Sequence, residues 1–165
     1  MPRPPPPPAP GPPVSLLVVD AGSTEARAAL SRYFAELDRR VPAGFPADDA
    51  IDTATASFNP PRGSFVLATE AGATVGCGAV TYLSPTTAEI KRMWVAEGER
   101  GRHLGRRLLQ RLEGEARSAG RTTAVLDTNA TLLEAVALYE SAGYRRVGRY
   151  NANPHADLWF AKPLA

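Results

Sequence analysis

The chain is poor in cysteine, lysine and net charge, and it holds no long apolar run. Cys77 is its one cysteine, which excludes an intrachain disulfide and a cysteine zinc site. A lone thiol fits a reducing, cytoplasmic setting. No stretch approaches the ~18 consecutive apolar residues of a transmembrane helix, so no membrane association is expected. The net charge of +2 is too small for non-specific nucleic-acid binding by bulk charge. Aromatic residues make up 7% and do not interleave with the basic ones, which also argues against a nucleic-acid partner. His103 and His155 are the only histidines; no ligand cluster accompanies them, so no metal is expected. What remains is an ordinary globular balance, 44% apolar and 22% charged over 165 residues, enough for one core. The basic residues are lopsided: 17 are arginine, against Lys91 and Lys162 alone. Arginine forks suit phosphate and carboxylate.

Nine of the first 13 residues are proline, so residues 1–13 are expected to be a polyproline-like tail without the apolar segment of a signal peptide. The domain is expected over 14–165. Val14 to Val19 reads as a strand. Ser23 or Thr24 caps a helix carrying Ala28, Leu30, Phe34 and Leu37, which Pro42 ends, and residues 47–57 suggest a weaker helix. Phe65–Thr69, Val75–Leu83 and Ala88–Val95 are strands on short connections, an antiparallel meander. A helix opens at Arg102 or His103 and runs to Ala119, with Leu104, Leu108, Leu109, Leu112 and Ala116 on one face and Gly120 as its stop. A strand at Thr122–Leu126, a helix at Leu132–Ser141, and strands at Tyr144–Tyr150 and His155–Phe160 complete the order. This predicts an α/β (α+β) fold: a mixed, mostly antiparallel sheet flanked by helices, with a parallel, right-handed strand–helix–strand crossover from Ala88 through Leu126.

Arg100-Gly101-Arg102-His103-Leu104-Gly105-Arg106-Arg107 joins a strand to the strongest helix. N–H groups at a helix start have no intrahelical acceptor, and the helix dipole favours an anion there. A pyrophosphate suits such a turn, and Gly101 and Gly105 allow its close approach. An ordinary solvated, arginine-rich helix start explains the same residues. The turn is followed by Ala135-Val136-Ala137-Leu138-Tyr139-Glu140-Ser141-Ala142-Gly143-Tyr144.

These two segments, in this order, resemble the signatures of the GNAT superfamily of acyl-CoA-dependent N-acetyltransferases. The first is Q/R-x-x-G-x-G/A at the helix after the fourth strand; the second is A-x-x-L-Y-x-x-x-G-F/Y on the next helix. The resemblance covers about Val14 to Leu164. It implies acetyl-CoA as co-substrate, with its pyrophosphate on Arg100, Gly101, Arg102, His103, Leu104, Gly105 and Arg106 and its pantetheine arm along Met93, Trp94 and Val95. Two positions depart from the pattern. His103 stands at the middle glycine; a negative φ there would turn its ring outwards. Leu132 stands where many members carry an asparagine that touches the cofactor arm, and Asn129 either substitutes for it or caps the helix.

The strand Ala88-Glu89-Ile90-Lys91-Arg92-Met93-Trp94-Val95 holds three charges where a central strand should be apolar. Lys91 and Arg92 point to opposite faces unless a bulge reorients one. Glu89 lies eleven residues before Arg100, the spacing of the general base in the histone-acetylating branch, which implies that role; neutralising Lys91 or Arg92 is the alternative. Tyr139 is implied as the donor to the departing thiolate, against a plain core role. The resemblance places the acceptor among Tyr33, Arg62, Lys91, Arg92, Asn151, Asn153, His155 and Asp157, whose cations suit an amine that also carries a carboxylate. The expected activity is acetyl transfer to a primary amine of a small molecule by direct attack in a ternary complex. A protein-amine acetyltransferase and a non-catalytic acyl-CoA-binding regulatory domain are the alternatives, and a Glu89 paired away from the groove would favour the latter. The oligomeric state, a homodimer included, is left open.

Overall fold

The computed structural model describes residues 1–7, 12–41, 51 and 55–165. Its elements run β1 (Val14–Val19), α1 (Thr24–Arg40), β2 (Gly63–Glu70), β3 (Ala73–Tyr82), β4 (Thr87–Val95), a 3-10 turn (Glu97–Glu99), α2 (Leu104–Ser118), β5 (Thr123–Thr128), α3 (Leu133–Ser141), β6 (Arg145–Val147) and β7 (Leu158–Pro163). The helix expected over 47–57 falls largely outside the described residues.

Among the described residues the strands form one sheet in the order β1-β2-β3-β4-β5-β7-β6. Every pairing is antiparallel except β4 with β5. The crossover through α2 is therefore the parallel unit, and the fold is the mixed, mostly antiparallel α/β arrangement. Helices cover both faces. On one, Leu104, Leu108, Leu109, Leu112 and Ala116 of α2 pack on Val66, Val80, Ile90 and Leu126. On the other, Leu30, Phe34 and Leu37 of α1 pack on Phe65, Leu67, Ala79 and Trp94.

Ser23 accepts from Ala26 N at 3.2 Å and caps α1. The buried stripe of α1 is Ala26, Ala29, Leu30, Phe34 and Leu37; Ala28, expected in it, is exposed, because the i, i+3, i+4 spacing from Ala26 selects Ala29 and Leu30 instead. Of the last two strands, β6 is shorter than expected and β7 is displaced three residues towards the C-terminus. Residues between them make side-chain turns: Asn153 N donates to Asn151 Oδ1 and His155 N to Asn153 Oδ1. Such local bonds compete with the ladder.

Candidate active site

The site begins where β4 and β5 part. Their pairing stops at Glu89↔Val125, although β4 continues to Val95 and β5 to Thr128. A bulge in β4 accompanies the split. Cys77 faces Trp94 and Ala79 faces Lys91, leaving Gly78 opposite both Arg92 and Met93. Arg92 takes the extra place with φ 59°, a left-handed conformation that costs a non-glycine residue on the order of 1 kcal/mol. Bulges bend and twist the strand that carries them. The bulge also settles the two adjacent cations. Ala88 and Ile90 point into the α2-side core, so Glu89 and Lys91 face α1. One residue out of alternation, the Arg92 guanidinium also lies on the α1 side, 5.1 Å from the Phe34 ring centroid and 5.7 Å from that of Phe58.

The parted strands open a cavity of about 600 Å³. One end is the start of α2. The N–H groups of Leu104, Gly105 and Arg106 precede the first intrahelical bond, from Arg107 N to His103 O, and no side chain caps them. A Cβ on Gly105 would lie 3.3 Å from Leu138 Cδ2 and 3.9 Å from Val95 Cγ2, so glycine lets the turn sit close to α3 and β4. These uncapped donors, beside a split deep enough for an extended arm, fit a pyrophosphate-bearing acyl carrier. His103 has φ 61°, not the negative value that would turn its ring out; it holds the left-handed geometry for which glycine is the unstrained residue. The turn is less cationic than its sequence: Arg100 is ion-paired with Glu36 and Arg102 with Glu70 and Glu99. Arg102 does not line the cavity, whereas Arg100, Gly101, His103, Leu104, Gly105 and Arg106 do. Arg106 Nη2 donates to Ser141 Oγ at 2.5 Å.

Met93, Trp94 and Val95 line the cavity, although the Trp94 ring is buried in the α1-side core with Arg32 4.3 Å from its centroid. Asn129 also lines it. Its amide is committed to the turn before α3, donating to His155 O at 3.0 Å and accepting from Thr131 N at 3.0 Å; the helix cap itself is Leu132, without a side-chain bond. Tyr139 is buried and lines the cavity. Its ring sits 6.0 Å from Tyr144 and 6.2 Å from Phe160. Burial raises its pKa well above the ordinary tyrosine value. Cys77 is buried, its thiol 3.4 Å from Arg92 O and pushed up to about 12 by burial, which leaves it a packing residue and not an acyl carrier.

The predicted acceptor residues divide. Tyr33, Lys91, Arg92, Asn153 and His155 line the cavity; Arg62, Asn151 and Asp157 do not. Arg62 is exposed on the turn before β2. Glu89 does not line the cavity either. Its buried carboxylate lies 3.2 Å from Lys91 Nζ and accepts from Tyr150 at 2.6 Å and from Asn151 at 3.4 Å. Asn151 Nδ2 also donates to Asp127 Oδ2 at 2.5 Å, and Asn153 donates to Asp127 Oδ1 at 3.3 Å. Asp127 does line the cavity, and the sequence reading missed it by ending β5 at Leu126. The signal was there: Thr123, Val125 and Asp127 alternate onto one face of the strand. Glu36, Arg40 and Glu134 were missed as well. The Arg40–Glu134 ion pair joins the end of α1 to the start of α3 at the cavity wall. These contacts are long-range and have no local signature.

The split parallel pair, the uncapped helix start and the buried Tyr139 phenol meet at one cavity, a site with room and donors for an acyl carrier. The comparisons agree. Residues 28–144 match the model of the acetyltransferase (GNAT) family. The "IAA acetyltransferase" of Azospirillum brasilense is 33% identical over 151 residues, 89% of this chain and 98% of that protein. A solved GNAT-family acetyltransferase from Staphylococcus aureus superposes with a TM-score of 0.79 at 15% identity, covering 92% of this chain and 99% of its own. Another from Elizabethkingia anophelis, with acetyl-CoA bound, has a TM-score of 0.68 at 19% identity and covers 92% and 98%. The chain belongs to the GNAT acetyltransferase family and is an acyltransferase enzyme. The ion pair at Glu89 is the arrangement expected of a non-catalytic binder; the family and its named relatives weigh for an enzyme.

Proposed function

We propose that the protein transfers the acetyl group of acetyl-CoA to the primary amine of a small molecule, by direct attack while both substrates are bound. The observation that carries this reading is the one cavity shared by the α2 start, Tyr139 and Asp127. Acetyl-CoA supplies an acyl carbon on a thiol leaving group. The α2 N–H groups hold its diphosphate, and the β4 edge freed by the split offers backbone partners to the arm. The acceptor ammonium must lose a proton before it attacks. Of the cavity carboxylates, Glu36, Glu99 and Glu134 are paired with arginines; Asp127 is the one assigned to take it, and the Asn151 and Asn153 amides fix its orientation. As the N–C bond forms the C–S bond breaks. The nitrogen loses a second proton as it becomes the amide; one proton ends on sulfur, and the other leaves to solvent. Tyr139 donates a hydrogen bond to the departing thiolate. Glu89 holds Lys91, Tyr150 and Asn151, and through Asn151 it positions Asp127.

The eleven-residue spacing from Glu89 to Arg100 favours a second reading, in which Glu89 is itself the base through a bridging water. The pH dependence of kcat separates the two. Under the first reading Asp127→Asn lowers turnover ~10²-fold or more and loses the limb that rises with pH, while Glu89→Gln keeps that limb at reduced height. The opposite pattern transfers the role to Glu89, and near wild-type rates in both variants leave it with water.

A further inference from the structure

The cations that line the cavity are Lys91, Arg92, Arg40, Arg100 and Arg106. Lys91 is held by Glu89, Arg40 by Glu134 and Arg100 by Glu36, while Arg106 is bound to Ser141 at the α2 end. Of these five cations, Arg92 alone has neither an acidic partner nor a place at the phosphate turn. Its Nε is shut off from solvent with no hydrogen-bond partner, the single buried side-chain nitrogen or oxygen in that state among the described residues. The fold nevertheless accepts a left-handed arginine to place it there, over the Phe34 and Phe58 rings. A half-buried guanidinium without an anion is costly unless a ligand completes it.

We propose that the acceptor carries a carboxylate beside its amine, and that Arg92 is the residue that binds it. This rests on the reading of the cavity as an amine acetylation site. The charges around Arg92 select the ligand. Tyr33, Arg92 and Asp127 line the same cavity, and the Arg92 and Asp127 charges act on the Tyr33 phenol with opposite signs. An amine on Asp127 and a carboxylate on Arg92 match that pair. A phosphate monoester would bring a second negative charge towards Asp127, with Lys91 already neutralised by Glu89. A polyamine or a multiply aminated sugar would bring cations against Arg92, an unfavourable pairing that excludes it. The planar fork of arginine suits a carboxylate in particular.

Matched pairs test this: free amino acids and their C-terminal amides, which keep the amine and side chain and remove the charge. The expected result is a kcat/KM at least ~10-fold higher for the acid of the best pair, although the amide's amine is the less basic and more of it is free to attack. Arg92→Gln should bring that ratio towards one, and Arg92→Lys should lower it in part, because the charge survives without the fork. Calorimetry in the presence of CoA gives a readout apart from turnover: the N-acetyl acid should bind at least ~10-fold tighter than the N-acetyl amide, and Arg92→Gln should abolish the difference. Amides acetylated as well as acids by the unmodified protein would overturn the proposal and leave amine acetylation standing; no variant is needed for that outcome. A ratio retained in Arg92→Gln would remove Arg92 from the site. Transfer to no amine in the panel would overturn both readings together.

Discussion

Replacing Tyr139 by phenylalanine separates a catalytic phenol from a core ring. The ring is buried and packs on Tyr144 and Phe160, and phenylalanine retains that packing. The hydroxyl makes no hydrogen bond among the described residues, so its loss leaves no protein partner orphaned. Stability should therefore stay within about 0.5 kcal/mol, the scale of a substitution that creates neither a cavity nor an unpaired group. Catalysis should respond differently. The Tyr139 pKa is raised above its ordinary value of 10.0 by burial, so the phenol is protonated at every working pH and always able to donate. A phenol whose pKa burial raises above 10.0 is a poor acid toward an alkyl thiolate, so full proton transfer from it is not favoured. On the proposed reading, Tyr139 would therefore act as a hydrogen-bond donor to sulfur rather than as the acid that fully protonates it. Loss of one such donor in a water-poor site costs ~10–10³-fold in turnover. The assay is steady-state CoA release alongside calorimetric acetyl-CoA affinity and a thermal melt of the same variant. Turnover should fall within that range, affinity should stay within a few-fold, and the melting temperature should hardly move. Lost stability with undiminished turnover per folded molecule would refute the reasoning.

Gly105→Glu should weaken CoA binding at least ~10-fold by calorimetry, about 1.4 kcal/mol, because it brings negative charge to the helix start and its Cβ meets Leu138; unchanged affinity in a folded variant contradicts the phosphate site. His103→Gly relieves a left-handed residue worth about 1–2 kcal/mol but gives back about 0.4–1 kcal/mol through the freer unfolded chain. The denaturation midpoint should therefore hold or rise slightly, and a clear loss of stability would show that the imidazole makes a contact of its own. Glu134 is held at about 2 by its hydrogen bonds from Arg40. A depressed carboxyl contributes stability above its unfolded value, near 4.5, and loses it as pH falls through the folded value. Wild type should thus lose its advantage over Glu134→Gln between about pH 4.5 and 2 in acid titrations followed by circular dichroism; a constant gap between the two would place the ion pair outside the folding equilibrium.

The order of elements, the α2 stripe, the antiparallel meander and the two segments that resemble the GNAT signatures were legible in the residues alone. Each of these is local: a helical or strand period, a glycine stop, or a turn of fixed length reads directly from neighbouring residues. The sequence also posed the problem of the charged strand, since Lys91 and Arg92 on successive positions cannot both face one side of a regular ladder. Only the tertiary structure resolved it, by a bulge that depends on which residues of β3 lie opposite. The acceptor half was decided the same way. Glu89 at its spacing is compatible with a base on the cavity, but its carboxylate is taken up by Lys91, Tyr150 and Asn151. Tyr150 and Asn151 come from a segment some sixty positions away, ordered by its own side-chain turns. Asp127 reaches the cavity because β5 parts from β4 two residues earlier. The four-arginine turn loses much of its free charge to Glu36, Glu70 and Glu99, acids that local reading could not bring to it. Periodicity fixes which way a side chain leaves its own strand; which partner waits there is set by the packing of distant elements.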